Sequence, residues 1–255
     1  MMDNRDRVDV LDSLVDCGMR GEMVDRIATW AANAESRYVC FSNVHSVITA
    51  RDNLELHEAI SKADMVAPDG APIAWFMRQV GSSEQCRIPG PDLMLDVCER
   101  CAREGIPVGF FGSMPEVLDA LVKNLSEAYP GLKITYTCSP PFRDLTDDEM
   151  ATIAHQINEA GCAVLFVGLG CPKQEVWMLR NRGQIKSVML GVGAAFDFHA
   201  GVVRRAPEWM RAAGLEWLHR LITQPGRLWK RYLTTNSRFL VLAAMAILDH
   251  ALHGK

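Results

Sequence analysis

Short apolar runs alternate along this chain with longer segments in which apolar and polar residues follow a helical period. The short runs predict strands at residues 38–41, 65–68, 107–111, 132–138, 163–168 and 187–191. The longer segments predict helices at residues 44–61, 71–80, 91–104, 115–129, 146–160 and 172–182. Because strands that alternate with helices build βαβ units, the sequence predicts an α/β fold with a Rossmann-like, mostly parallel sheet flanked by helices. Capping-box spacing marks two of the helix starts, Ser113 with Glu116 and Thr146 with Glu149.

The pattern changes after Gly201. The segment that follows holds three of the six tryptophans, several arginines and no clear strand, and it predicts amphipathic helices broken at Pro207, Gly214 and Pro225. We therefore expect an α/β domain over residues 1–200 and a basic helical appendage over residues 201–255. The longest apolar run, residues 239–248, has ten residues. A membrane-spanning helix needs about 20, so the sequence predicts none.

Charge divides the chain at the same place. Residues 201–255 contain nine Lys/Arg and three Asp/Glu, a net charge of +6. Residues 1–200 contain eighteen Lys/Arg and twenty-eight Asp/Glu, a net charge of −10. Basic amphipathic helices with interfacial aromatic residues are typical of proteins that lie on anionic membranes. Nucleic acid could use the same charge, but the apolar run favours lipid over a phosphate backbone. A structural cap that covers the core is the third interpretation.

The cysteines favour a reducing, cytosolic compartment. Five of the eight lie in apolar strand-like or helical stretches, where cysteine behaves as a small hydrophobic residue. Cys98 and Cys101 form a CxxC inside a helical pattern, without a second pair or a nearby histidine. We expect them to pack in the core rather than to hold zinc.

A glycine loop and a helix follow the buried strand in the run AVLFVGLGCPKQEVW, residues 163–177. Strand ends and helix N-termini of open α/β sheets bind anionic ligands, so the run predicts a site for a nucleotide. GLGCPK and GVGAAF both start as a dinucleotide fingerprint, but Lys173 and Phe196 occupy the third glycine position. An NAD(P)-dependent oxidoreductase is therefore a lesser alternative.

Three more loops carry candidate chemistry, two of them at predicted strand ends and one, with Arg87, just before a predicted helix. Asp69 could act as a general base or could cap the next helix. Arg87 could bind a phosphate or carboxylate, or could be a solvated loop residue. The amides that follow Gly112 in FFGSMPE could hold a phosphate or could form a tight turn with an ordinary cap.

Seven motifs, taken in order, resemble the WecG/TagA/CpsF family of bacterial glycosyltransferases. They are NVHSVITA, VAPDGAPIAW, RIPGPDLM, FFGSMPE, VGLGCPKQEVWM, GVGAAFDFHAGVVRRAPEWM and GLEWLHRL, and the resemblance extends from about Tyr38 to Tyr232. It implies a membrane-associated glycosyltransferase fold of the GT-E type, with a catalytic domain and a basic C-terminal appendage. The implied activity is N-acetylmannosaminyltransferase-like: transfer of a hexose from a UDP-sugar to a polyprenyl-diphosphate-linked sugar in cell-surface polysaccharide synthesis.

The resemblance also assigns residues. Asp69 matches the proposed general base; Asn43, Arg87 and Gln174 match pocket positions; Asp197 matches an acidic residue near the nucleotide, and Gly112 joins this set through its loop. In the appendage, a further set matches arginines proposed to meet the lipid diphosphate: Arg220, Arg227 and, less closely, Arg231. The family carries a threonine where this chain has Phe41, so a hydroxyl contact is lost or moves to Ser42 or Ser46.

The expected reaction is an inverting single displacement in which Asp69 deprotonates the acceptor hydroxyl and UDP leaves. The sequence contains no DxD motif, so we expect no metal and no other cofactor, with arginines stabilising the diphosphate instead. The expected partners are the UDP-sugar, the polyprenyl-diphosphate-linked acceptor and an anionic membrane, without nucleic acid. The expected location is peripheral, on the cytoplasmic face of the plasma membrane. Oligomeric state stays open, and a non-catalytic nucleotide-sensing module that docks on membranes is the second alternative.

Overall fold

The computed structural model describes residues 5–253, except for the side chains of residues 227 and 231. Its main sheet has six parallel strands in the order β4-β3-β8-β7-β5-β6, and a separate antiparallel pair joins β1 to β2. The strands are β1 (Arg7–Asp9), β2 (Leu14–Asp16), β3 (Arg37–Ser42), β4 (Met65–Pro68), β5 (Val108–Gly112), β6 (Ile134–Cys138), β7 (Val164–Gly168) and β8 (Val188–Gly191). The predicted α/β fold with a parallel sheet is confirmed.

Helices cover both faces of this sheet. They are α1 (Arg20–Ala32), α2 (Val44–Asp52), α3 (Leu54–Ser61), α4 (Ala71–Gln79), α5 (Gly90–Glu104), α6 (Pro115–Ala128), α7 (Asp147–Glu159), α8 (Lys173–Asn181), α9 (Ala195–His199), α10 (Glu208–Ala212), α11 (Glu216–Thr223) and α12 (Pro225–His253). Helices α1, α5, α6 and α9 pack on one face, and α2, α3, α4, α7, α8 and α12 contribute to the other.

In each central strand, alternate side chains pack into one of two hydrophobic cores, one on each face of the sheet. In β3, Val39 and Phe41 join the first core, whereas Tyr38 and Cys40 join the second. Side chains that alternate across a strand point to opposite faces, so a strand buried on both faces must be apolar throughout. This is why apolar runs predicted β3, β4, β5, β7 and β8, whereas the edge strand β6 is only partly buried.

One predicted helix is split in the structure and one predicted cap is wrong, while several other helix ends shift by one residue. Asn53 ends α2 in an extended conformation, and its side chain accepts a hydrogen bond of 2.9 Å from the Leu56 amide, so the predicted helix 44–61 is split into two. The box at Thr146 and Glu149 is confirmed. The box at Ser113 is wrong, because Ser113 adopts a φ of +64° and Met114 precedes the helix as its N-cap.

The CxxC cysteines are packing residues, as predicted. Cys98 and Cys101 are both buried in the first core, where burial raises the pKa of each thiol. A thiol kept protonated by apolar surroundings is a poor metal ligand and a poor nucleophile.

The appendage forms three helices whose breaks follow the prediction at Pro207, Gly214 and Pro225. The longest of them, α12, packs against α2 and α4, and the rings of Phe76 and Phe239 meet edge to face with centroids 6.3 Å apart. Over the described part of the chain, no helix combines the length and the apolar character needed to cross a bilayer.

Candidate active site

Asp69 follows β4 at the edge of the sheet where all six parallel strands have their carboxyl ends. Its backbone amide donates a 2.8 Å hydrogen bond to the Ser42 carbonyl, which fixes it beside the end of β3. The N-cap of α4 is Gly70, with a φ of +109° and no side-chain cap. Asp69 therefore does not cap this helix, and the capping alternative is wrong.

Asn43 connects this carboxylate to the next loop. As the N-cap of α2, it accepts a 3.1 Å hydrogen bond from the Ser46 amide through Oδ1, and its side chain also hydrogen-bonds to Asp69. Because Oδ1 serves the helix, the amide nitrogen is the donor toward Asp69. One side chain thus orients the carboxylate and closes the first turn of a helix.

The Asp69 carboxyl is less acidic than an ordinary aspartate. Burial is the largest cause and the negative charge of Glu216 adds to it, raising the pKa to about 6. The positive charges of Arg87 and Arg220 and the hydrogen bond from Asn43 act in the opposite direction. Above pH 6 the group is a carboxylate with a stronger affinity for protons than a solvated aspartate has, which suits a general base.

Arg87 reaches Asp69 from the loop between α4 and α5. The Ile88 amide donates a 2.7 Å hydrogen bond to the Pro68 carbonyl, which ties this loop to the end of β4. Arg87 is not a solvated loop residue: its side chain is 21% exposed, and Nη1 lies 3.2 Å from Glu216 Oε2. This position, beside Asp69 and partly buried, is suited to an anionic ligand.

Glu216 is the site residue that the sequence interpretation missed. It is the first residue of α11, and its second oxygen accepts a 3.1 Å hydrogen bond from Nε of Arg205, which in turn pairs with Asp92 of α5. In the sequence, Glu216 is distinguished only as one of three acidic residues in the basic segment 201–255. Its partners lie in distant parts of the sequence, so no local pattern could identify them.

Arg220 enters the same site from α11. Its guanidinium lies 5.5 Å from the centre of the Phe198 ring, and its charge lowers the pKa of Asp69. Its Nε is buried without a hydrogen-bond partner in the described part of the chain. Arg227 and Arg231 follow in α12, but their side chains lie outside the described residues.

Gln174 lies at the ends of β7 and β8, and its side-chain amide hydrogen-bonds to three protein groups. Its Nε2 donates to the Gly191 carbonyl at 2.7 Å and to Glu175 at 2.9 Å, while Oε1 accepts from the Gly170 amide at 3.2 Å. The side chain is buried, so Gln174 joins the glycine loop after β7 to the end of β8. Its role in this structure is to hold these two strand ends together.

Gly112 ends β5 where two backbones come close together. A Cβ at Gly112, whose φ is +120°, would lie 2.6 Å from the Gly168 carbonyl carbon, and a Cβ at Gly168 would lie 2.6 Å from the Phe196 ring. Both glycines are therefore required for packing at this strand end. Asp197 follows Phe196 in the short helix α9 and is half-buried.

Phe41, at the position where the resemblance implied a threonine, belongs to the core. Phe41 is buried, and a Cβ at Gly90 would lie 3.6 Å from its ring, so it packs against the start of α5. Ser46 is committed to the cap of α2. The Ser42 hydroxyl is fully buried without a partner in the described structure, so neither serine offers a free, exposed hydroxyl in place of the one that the resemblance implied.

Comparison with known proteins identifies a family that matches most of the chain. The model of the glycosyl transferase WecG/TagA/CpsF family matches residues 8–252. A relative from Bacillus subtilis (strain 168), named N-acetylglucosaminyldiphosphoundecaprenol N-acetyl-beta-D-mannosaminyltransferase, is 31% identical over 193 residues, which cover 75% of this chain and 73% of the relative. The match includes both the sheet and the appendage.

Proposed function

This chain belongs to the WecG/TagA/CpsF family and is a glycosyltransferase, and we propose that it moves a hexose of the N-acetylmannosamine type from a UDP-sugar to a polyprenyl-diphosphate-linked sugar. The printed name of the Bacillus subtilis relative supports the acceptor class and the type of sugar. The observation that carries the proposal is Asp69 itself, a carboxylate of raised pKa at the strand ends, with Arg87 and Arg220 close enough for their charges to act on it.

The proposed reaction is a single displacement with inversion. Asp69 removes the proton of the acceptor hydroxyl, the hydroxyl oxygen attacks the anomeric carbon, and the bond from that carbon to the UDP oxygen breaks. General-base assistance of this kind contributes about 10²- to 10⁴-fold in rate. Asn43 keeps the carboxylate oriented through its hydrogen bond.

We propose that cationic side chains, without a metal, stabilise the leaving diphosphate. Arg87 and Arg220 both lie close enough to Asp69 to change its pKa, and the Nε group of Arg220 has no protein acceptor in the described structure. Preorganised cations stabilise charge that develops as a bond breaks. Arg227 and Arg231 complete the proposed lipid-diphosphate set, and Asp197 and the Gly112 loop flank the nucleotide.

We further propose that the protein is peripheral on the cytoplasmic face of the plasma membrane. Leu228, Phe239 and Ala243 of α12 face the core, whereas a second apolar set on the opposite side of the helix is more than 60% exposed: Leu233, Leu240, Val241, Met245, Leu248 and Leu252. Such a stripe is costly in water and is suited to the acyl boundary of a bilayer. Lys230, on the same helix, is available for anionic headgroups.

The test is UDP release from a panel of UDP-sugars with a short-chain polyprenyl-diphosphate-linked N-acetylglucosamine as acceptor. We expect turnover with at least one donor, an inverted anomeric configuration in the product, and activity that persists in EDTA. Loss of activity in EDTA would contradict the metal-free proposal. Binding of UDP-sugars without release of UDP would instead support the non-catalytic sensing module.

A further inference from the structure

An acidic side chain from the appendage lies between two arginines at the pocket. The two oxygens of Glu216 engage different guanidiniums, Arg87 at 3.2 Å and Arg205 at 3.1 Å. The Glu216 side chain is only 16% exposed, and Arg205 continues the chain of ion pairs to Asp92 near the start of α5. Partly buried ion pairs with both carboxylate oxygens engaged are much less screened than surface pairs.

This network joins the appendage to two elements of the α/β domain. Arg87 belongs to the loop that follows α4, and Asp92 belongs to the first turn of α5, whereas Glu216 begins α11 of the appendage. Without Glu216, the guanidinium of Arg87 would lose its partner from the appendage. The long arginine side chain would then recover rotamer freedom beside Asp69.

We infer that Glu216 is a positioning residue, which docks α11 on the catalytic domain and holds Arg87 in place beside Asp69. The inference rests on the proposed function for the role of Asp69, but the docking part does not depend on it.

The effect of removing Glu216 on the pKa of Asp69 depends on the charged and titratable groups that face Asp69. They are Glu216, Arg87 and Arg220, with Asn43 as a hydrogen-bond donor. While an acceptor at position 216 keeps Arg87 in place, loss of the negative charge of Glu216 makes the ionised form of Asp69 more favourable. This effect lowers the pH at which Asp69 loses its proton.

The first experiment measures the acid limb of kcat/KM for UDP release. In the Glu216→Gln variant, which keeps the shape and one acceptor oxygen, we expect this limb to move to lower pH by about 0.5 unit, the size expected for a unit charge several Å away. Glu208→Gln is the matched control, because Glu208 is the exposed first residue of the neighbouring helix α10. The control should keep the wild-type profile.

The second experiment measures hydrogen exchange in the full chain. In Glu216→Ala we expect the amides of α11 to exchange about fivefold faster or more, while those of β7 are unchanged and confirm that the sheet is folded. Unchanged exchange in α11, or an unmoved acid limb in an active Glu216→Gln variant, would overturn the inference. If the wild-type protein releases no UDP, the proposed function fails, and exchange alone still decides whether Glu216 docks α11.

Discussion

The side chain of Asn43 hydrogen-bonds both to the first turn of α2 and to the carboxylate of Asp69. Two loops at neighbouring strand ends are thereby held in one arrangement, since the Asp69 amide also donates to the Ser42 carbonyl. A carboxylate held by a side-chain donor and by its own backbone has few accessible orientations. Orientation of this kind is required of a base that must meet a hydroxyl at hydrogen-bond distance.

Asn43→Ser should separate the two roles of this residue. Serine also serves as an N-cap, so we expect stability to change by less than about 1 kcal/mol. The shorter side chain cannot reach Asp69, and loss of a hydrogen bond that favours the ionised form raises the pKa of the carboxyl. The acid limb of kcat/KM should therefore move to higher pH, opposite to Glu216→Gln. A shift in the same direction for both variants would contradict this account.

Asp69→Asn should abolish most of the turnover. The amide keeps the size of the carboxyl and an acceptor for Asn43, but it cannot take a proton from the acceptor. We expect kcat to fall about 10²- to 10⁴-fold, with UDP binding by calorimetry retained. Asp96→Asn tests whether loss of any partly buried carboxylate has this effect, since Asp96 pairs with Arg20 and not with a residue of the site. Near wild-type turnover in Asp69→Asn would show that another group is the base.

The same substitution should make the protein more stable at neutral pH. The pKa of Asp69 is raised by folding from 3.8 to about 6, so the folded state binds the proton more tightly than the unfolded state does. The contribution of this group to stability is thus fully present below pH 4 and is lost as pH rises through 6. We expect Asp69→Asn to be about 1 to 2 kcal/mol more stable than wild type at pH 8, with the difference vanishing near pH 4. Denaturant unfolding at both pH values measures it.

Five strands, β3, β4, β5, β7 and β8, could be predicted from the sequence because burial leaves mostly apolar residues in them, whereas the predicted edge strand β6 is partly exposed and carries two threonines. The antiparallel pair β1 and β2 was not predicted, since each strand has three residues and gives no periodic signal. Helix α1 was also missed, although its residues Met23, Ile27 and Trp30 bury a helical stripe in the first core. The break between α2 and α3 was also not predicted. Asn53 caps α3, but a polar residue at this position does not interrupt the amphipathic pattern of the segment.

Part of the site could be predicted and part could not. Asp69 and Asn43 each follow a strand, and parallel strands end at one edge, so their proximity follows from the fold. The pair of Arg87 with Glu216 joins residues 129 positions apart, and only the packing of α11 on the domain brings them together. Gln174 matched a pocket position, but nothing local in the sequence indicates that its amide is occupied by three protein partners.

The exposed stripe of α12 should control binding to anionic vesicles. Replacing Leu240 and Met245 by glutamine removes two exposed apolar side chains that do not contact the core, so folding should be unaffected. Each apolar side chain buried in lipid contributes about 1.5 to 3 kcal/mol, so we expect the vesicle dissociation constant to rise at least about tenfold. Leu54→Gln is the control, since Leu54 is 85% exposed on α3 and lies outside the stripe. Sedimentation with vesicles that contain an anionic lipid measures the effect, and equal binding by all variants would assign docking to another surface.

Gln174→Ala should act mainly on the pocket wall and on stability. The amide joins the Gly170 loop to the end of β8, and its removal leaves the Gly191 carbonyl and one oxygen of Glu175 without their donor. The other oxygen of Glu175 already lacks a partner in the described structure, and burial raises the pKa of this carboxyl. A buried acceptor left unsatisfied costs about 1 to 3 kcal/mol, so we expect a loss of stability in that range, measured by denaturant unfolding at pH 7. Lys173→Ala, at the exposed neighbouring position, should cost less than about 0.5 kcal/mol. A Gln174→Ala variant of unchanged stability with a raised KM for the UDP-sugar would instead assign the amide to direct contact with the donor.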